Sequence, residues 1–190
     1  MVAEIISVGT ELLLGNIVNT NAQYLAGRLA ELGFDLYYQT VVGDNTEHLK
    51  GALDVAYTRA ELVILTGGLG PTKDDMTKEM LAHYFGKTLV FDQAVFDNVV
   101  KHVHEFGATQ ITENHRKQAM VPSDSLILNN DYGTAPGCVM QNDGKIAVLL
   151  PGPPREMKPM FEQCVERFLY QLVSKALASV CIRLKTKDEA

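Results

Sequence analysis

The sequence predicts an α/β protein built on a largely parallel sheet. Three observations carry that expectation. Strand-length apolar runs alternate with amphipathic helical segments, a glycine-rich turn joins a strand to a helix, and a late Asn142-Asp143-Gly144 turn joins two strands as a hairpin. The elements follow in order. Glu4-Ile5-Ile6-Ser7-Val8 is a buried-strand run stopped by Gly9. Ala22, Leu25, Ala26 and Leu29 recur at helical spacing, with Asn19 or Asn21 as cap and Gly33 as stop. Phe34 to Val42 is rich in β-formers, Leu49, Ala52, Leu53 and Ala56 mark a second helix, and Leu62-Val63-Ile64-Leu65 is a third strand. A third helix is expected after the glycine-rich turn, ending near Gly86. Strands joined through single helices read as βαβ units.

The second half is less regular. Val95, Phe96, Val99, Val100, Val103 and Phe106 define a helix ending at Gly107, and a short helical piece spans Asn114 to Ala119. Strands are expected at Ser125 to Leu128, Gly137 to Met140 and Lys145 to Leu150, and a last helix carries Met157, Met160, Phe161, Cys164 and Phe168 on one face. The tail from Ser174 to Ala190 holds a strand-like Val180-Cys181-Ile182 and then a charged end. All seven prolines lie between 71 and 159, so the stiffened loops belong to the later part.

Composition narrows the function classes. The chain has 190 residues, enough for one domain with a proper core, and its 46% hydrophobic and 21% charged content is that of a globular protein. Seventeen Lys+Arg against 23 Asp+Glu give a net charge of -6, which removes the usual electrostatic basis for binding nucleic acid or an anionic membrane. Three cysteines, at 138, 164 and 181, make no disulfide framework and suit a reducing, cytoplasmic setting. Met1-Val2-Ala3-Glu4 lacks the basic start of a signal peptide, and no apolar stretch reaches membrane-spanning length. Cys138 and Cys164 read as core residues, and the dispersed histidines form no metal pair.

Chemistry concentrates in the loops after the strands. Thr66-Gly67-Gly68-Leu69-Gly70-Pro71-Thr72-Lys73-Asp74-Asp75-Met76-Thr77 follows a strand and opens a helix, where ligands of open α/β sheets bind. Gly67, Gly68 and Gly70 allow close backbone approach, and Asp74 with Asp75 could hold a hard divalent cation beside a phosphate. The plainer alternative is a tight turn with Asp75 or Thr77 as helix cap. Thr10-Glu11 follows the first strand and Asp44 the second, so carboxylates gather at one sheet edge, where a cation would relieve their repulsion. Asp44 could instead cap the helix near Thr46, and Glu11 could be a solvated loop residue. Asn114, Lys117 and their neighbours form a run of donors that a solvated helix face would also explain. Gly133-Thr134 lies in a pocket-shaping loop, and Arg155 follows Leu150-Pro151-Gly152-Pro153-Pro154 at a helix start.

The strings GTELLLGNIVNTN, VVGD, TGGLGPTKDDMT, NHRKQA, NNDYGTAPG and LPGPPREM, in this order, resemble the N-terminal domain of the competence/damage-inducible CinA family, itself similar to the MoaB/MogA molybdopterin-binding domain. The resemblance covers residues 1–172 and leaves 173–190 as a tail, the possible start of a truncated following domain. It implies a three-layer α/β/α sandwich on a mostly parallel mixed sheet. For the CinA branch it implies metal-dependent hydrolysis of ADP-ribose to AMP and ribose 5-phosphate in pyridine-nucleotide recycling. Asp75, Asp44 and Lys117 would then be catalytic, and Asp75, Asp44 and Asp74 would hold Mg²⁺, Mn²⁺ or Co²⁺. Thr10, Glu11, Gly67, Gly68, Gly70, Thr72, Asn114, Gly133, Thr134 and Arg155 would bind substrate. The alternative it implies is a molybdopterin-binding module without hydrolysis. It further implies a homo-oligomer, dimer or trimer, and longer members that continue into a deamidase domain, to which nothing here corresponds. The uncapped end favours a truncated chain.

Overall fold

The computed structural model describes residues 1–70, 75–105, 107–108 and 110–174. The chain runs through β1 (Val2–Val8), α1 (Thr10–Leu13), α2 (Thr20–Glu31), β2 (Asp35–Val42), α3 (Thr46–Ala56), β3 (Leu62–Thr66) and α4 (Thr77–Tyr84). It continues through β4 (Leu89–Phe91), α5 (Gln93–Glu105), α6 (Glu113–Gln118), β5 (Met120–Pro122), β6 (Leu126–Leu128), β7 (Gly137–Asn142), β8 (Lys145–Leu150) and α7 (Pro154–Met160). A π-helical turn, Phe161–Val165, follows α7, and the chain stays helical over 166–174.

Six strands form one mixed sheet in the order β2-β1-β3-β8-β7-β6. The β2, β1, β3 and β8 strands are mutually parallel, whereas β7 runs antiparallel to β8, and β6 antiparallel to β7. The hairpin between β7 and β8 turns on Asp143 (φ 48°) and Gly144 (φ 77°), the pair of positive φ values that a two-residue turn matched to strand twist needs. Helix α2 is capped by Asn19, whose side chain accepts from Ala22 N at 3.1 Å, so the first of the two predicted caps is used.

Alternation along the strands separates two cores. Ala3, Ile5, Leu62, Ile64 and Val148 face α2, α7 and the π-turn, where Leu25, Leu29, Met157 and Phe161 are buried. Ile6, Val8, Val63, Leu65 and Leu149 face α3 and α4, where Leu53, Leu81 and Phe85 are buried. Helices on both faces of the sheet make the expected three-layer sandwich. Cys138 lies in the second core and Cys164 packs against the first. A smaller third cluster joins Val95, Val99 and Val103 of α5 to Ala119 and Val121.

Two features depart from the sequence expectations. The β4 and β5 strands pair antiparallel as a separate two-stranded sheet, with Pro122 opposite Leu89. Leu89–Phe91 and Met120–Pro122 are three residues each, too short to show alternation, and Pro122 argues against a strand. The last helix also widens by one π-turn at Phe161–Val165, just after Pro159, whose missing N–H interrupts the regular ladder. The expected strand at Val180-Cys181-Ile182 lies outside the described residues, as does Phe106.

One charge is buried at the far end of β1. Glu4 is 1% exposed. Both its oxygens accept from the Arg59 guanidinium at 2.9 Å, Thr40 Oγ1 donates to Oε1 at 2.8 Å, and Arg59 lies 3.5 Å over the Tyr38 ring. Removing one partner of such a pair strands the other charge. Arg59→Met is expected to lower the urea midpoint clearly, with Glu4→Leu in the same chain recovering most of the loss.

Candidate functional site

The parallel strands end side by side, and the loops that leave them are locked together by a few polar contacts. Gly9 N donates to the Val42 carbonyl at 2.9 Å, tying the end of β1 to β2. Asp44 then accepts from Thr10 N at 2.9 Å and from Thr10 Oγ1 at 2.8 Å. Helix α3 is capped by Asn45, which accepts from His48 N at 3.0 Å, so Asp44 orders the neighbouring loop instead of the helix. At the next strand, Thr66 Oγ1 donates to the Pro151 carbonyl at 2.9 Å, and Gly67 N donates to Leu150 O at 3.1 Å. Asn21, at the start of α2, completes the clamp by donating to Thr66 Oγ1 (2.9 Å) and to Gly152 O (2.7 Å).

The glycine pair fits where no other residue could. Gly67 has φ 105°, and a Cβ built on it would stand 2.1 Å from the Val8 carbonyl oxygen. Gly68 has φ 68°, and its Cβ would stand 2.0 Å from Thr77 Oγ1. Both the left-handed backbone and the space exclude a side chain. Helix α4 begins with Met76 at its cap and no side-chain cap bond, so neither Asp75 nor Thr77 serves as the cap. Asp75 rests on Gly70 instead, with Oδ2 2.5 Å from where a Gly70 Cβ would be.

Two cavities adjoin here, with Gly152 and Pro153 common to both walls. The larger, about 450 Å³, is lined by Glu11, Asp44, Gly67, Gly68 and Asp75, and by Asn19 and Asn21 from the start of α2. The smaller, about 280 Å³, is lined by Gly70, Gln118, Gly133, Thr134, Arg155 and Glu156 among others. The residues singled out in the sequence therefore divide between neighbouring chambers. Thr10 sits behind the first, bonded to Asp44. Thr72 and Asp74 lie outside the described residues. Asn114 and Lys117 are exposed on α6 and line neither cavity, because that helix turns Gln118 inward.

Several lining residues escaped the sequence reading as site residues. Asn21 was legible only as a rival cap to Asn19. Gln118 belonged to a donor-rich run too short for its inward face to be recognised. Glu156 is 8% exposed and accepts from Asn130 Nδ2 at 2.9 Å, its carboxylate lying over Gly133. Lys78 of α4 donates to the carbonyls of Lys117 and Gln118, each at 3.2 Å, and so anchors the end of α6.

The wall of the larger cavity holds, among the described residues, Glu11, Asp44 and Asp75 and no lysine or arginine. Among the described residues, however, no three metal-binding side chains come together as a cage. A hard cation there would take one or two of these carboxylates and fill its remaining positions from ligand oxygens and water, as Mg²⁺ commonly does.

A family model described as "Probable molybdopterin binding domain" matches residues 4–171. The chain belongs to that family. This MoaB/MogA-like domain is 57% identical over 179 residues to a protein of Caldicellulosiruptor saccharolyticus named as competence-damage inducible, covering 94% of this chain and 43% of the relative. A CinA-like protein of Kosmotoga olearia is 53% identical over 184 residues, covering 97% of this chain and 44% of its own length. The chain thus spans less than half the length of these curated relatives. Among solved structures, the protein CinA from Thermoplasma acidophilum, described as of unknown function, aligns with a TM-score of 0.79 at 35% identity, covering 88% of this chain and 96% of that one. The tungsten cofactor synthesizing protein MoaB from Pyrococcus furiosus, at 19% identity and a TM-score of 0.60, shares the fold, covering 92% of this chain and 95% of its own. Among the described residues no helix is long and apolar enough to cross a membrane.

Two outcomes follow. Gly67→Ala is expected to cost about 3 kcal/mol or more in urea unfolding, because strain and a backbone clash add, whereas Gly86→Ala meets only strain, about 1 kcal/mol. Gly86 also has positive φ (66°), with nothing within 4 Å of the added carbon. Burial pushes the Lys78 amine down from 10.5 to about 8. Between those values the unfolded chain binds more protons, so this lysine makes the fold more stable as pH rises through the window. The stability difference between wild type and Lys78→Met is expected to shift in favour of wild type from pH 8 to 10.

Proposed function

We propose that this domain binds a phosphate-bearing pterin of the molybdopterin class at the carboxyl edge of its sheet. The observation that carries this reading is the pair of adjoining cavities divided by Gly152 and Pro153, one beside the Gly67-Gly68 backbone and the other lined by buried polar side chains. Such a layout suits a ligand with a polar phosphate end and a flat heterocyclic end. Glycines that let the backbone come close fit the first part, and a concave wall with a few fixed polar groups fits the second. The domain family points to the same ligand class. The setting that goes with it is the cytoplasm, with the chain acting as a dimer or trimer.

A second reading is metal-dependent hydrolysis of ADP-ribose to AMP and ribose 5-phosphate. The observation favouring it is the carboxylate wall of the larger cavity, with no cationic side chain among its described lining residues to meet a diphosphate. Bound Mg²⁺, Mn²⁺ or Co²⁺ would supply that positive charge and polarise the phosphorus. Glu11, Asp44 and Asp75 would attract the cation and orient the phosphates, while the Thr10 bonds hold Asp44 in place.

A single titration series separates the readings. A pterin phosphate is expected to bind the chain, followed by pterin fluorescence, and to bind more weakly to Asp75→Ala when a divalent cation is supplied. No pterin binding at any metal condition would overturn the first reading. AMP release from ADP-ribose that needs both the metal and Asp75 would establish hydrolysis. Absence of release with all three metals would remove it.

A further inference from the structure

We infer that the smaller cavity reads the amino-lactam edge of a fused heterocycle, the edge shared by pterins and guanine and lacking in adenine, through Glu156 and Gln118. The inference rests on the binding site proposed above and deepens it by assigning the ring end of the ligand.

Gln118 is 3% exposed, and among the described residues neither its Nε2 nor its Oε1 has a hydrogen-bond partner. A buried carboxamide with both donor and acceptor unused is costly, so native proteins seldom keep one without a use. This one stands in the wall of the 280 Å³ cavity. In the same wall, Glu156 Oε2 accepts one N–H from Asn130, and among the described residues Oε1 has Arg155 Nε nearby, at 3.7 Å. A carboxylate offers about four lone-pair positions, so most of its accepting capacity is unused.

Much of the remaining lining is small or apolar. Gly70, Gly133 and Gly152 contribute backbone alone, while Leu69, Ala135 and Pro151 supply apolar contact. A planar bicyclic ring suits a lining of this kind. Its hydrogen-bonding edge must then meet a group that only accepts, the carboxylate, and a group that both donates and accepts, the carboxamide. The amino-lactam edge presents a ring N–H and an exocyclic N–H side by side, which match the two oxygens of a carboxylate, with a carbonyl next to them for Gln118 Nε2. Adenine places an acceptor nitrogen beside its amino group, and that lone pair would face the carboxylate. Leaving such groups unpaired is the stronger source of discrimination between ligands of similar shape.

The test uses the whole chain with 6-hydroxymethylpterin, guanosine 5′-monophosphate and adenosine 5′-monophosphate, read by calorimetry. Wild type is expected to bind the first two at least about tenfold more tightly than the third, the ratio for one well-formed hydrogen-bonded edge. Glu156→Gln is expected to abolish that preference. Gln118→Leu is expected to weaken pterin binding about tenfold while leaving the thermal midpoint unchanged or higher, because an unpaired amide is removed. A lower midpoint for Gln118→Leu would show a structural amide and overturn the assignment. Equal binding of adenosine and guanosine monophosphates by wild type would also overturn it. If 6-hydroxymethylpterin binds wild type and both variants alike, this assignment falls and the binding site stands. If no heterocycle binds wild type, both fall.

Discussion

The contact on which the site depends is a backbone meeting a backbone. The Val8 carbonyl at the end of β1 occupies the space where Gly67 would carry its Cβ, and Gly67 N is held by Leu150 O at the end of β8. Three neighbouring strand ends are thereby drawn to one point. Gly68 brings the start of α4 against the same point through Thr77, and Thr77 N donates back to Gly68 O at 3.3 Å. Asn21 then fastens α2 to it from the other side of the sheet. Helices from both outer layers meet the middle layer here, so the cavity walls are fixed by main-chain geometry with little dependence on flexible side chains.

Charge gives the site its second constraint. Among the described residues, carboxylates face the larger cavity and the cationic groups lie elsewhere. Arg59 is spent on Glu4 at the opposite end of β1, and Lys78 on the carbonyls that end α6. Arg155, the cation of the smaller cavity, lies beside Glu156. Among the described groups, a phosphate approaching the Gly67-Gly68 loop would meet backbone dipoles and acidic side chains. Attraction there has to be local and is well served by a cation carried in with the ligand. The proposed heterocycle end needs no such help, since hydrogen-bond donors on a neutral ring meet a buried acceptor.

Much of this was legible in the residues, and the gaps have physical causes. The β8 strand spans Lys145–Leu150 as expected, because an apolar run between a turn and a proline leaves little freedom. The Asn-Asp-Gly hairpin was readable because only certain residues accept positive φ. The carboxylates after the first three strands were foreseeable from topology, since parallel strands place their following loops on one edge. Their partners were not. Asp44 bonding to Thr10 depends on two loops meeting 34 residues apart, and Asn45 took the cap that was the alternative role for Asp44. Gln118 went unnoticed beside the more conspicuous Asn114 and Lys117, because a six-residue helix reveals no face until it packs. The Glu4 ion pair was hidden for a similar reason. A charge in an apolar run reads as a strand end until a partner 55 residues away arrives.

The central claim is that one ligand straddles the Gly152-Pro153 wall, phosphate on the Gly67-Gly68 side and ring on the Gln118 side. A crystal structure of the chain soaked with a pterin phosphate tests this most directly. The account predicts phosphate density in the chamber lined by Asp44 and Asp75, and ring density in contact with Glu156 and Gln118. Density confined to the larger chamber with the ring turned to solvent, or density elsewhere on the surface, would contradict it.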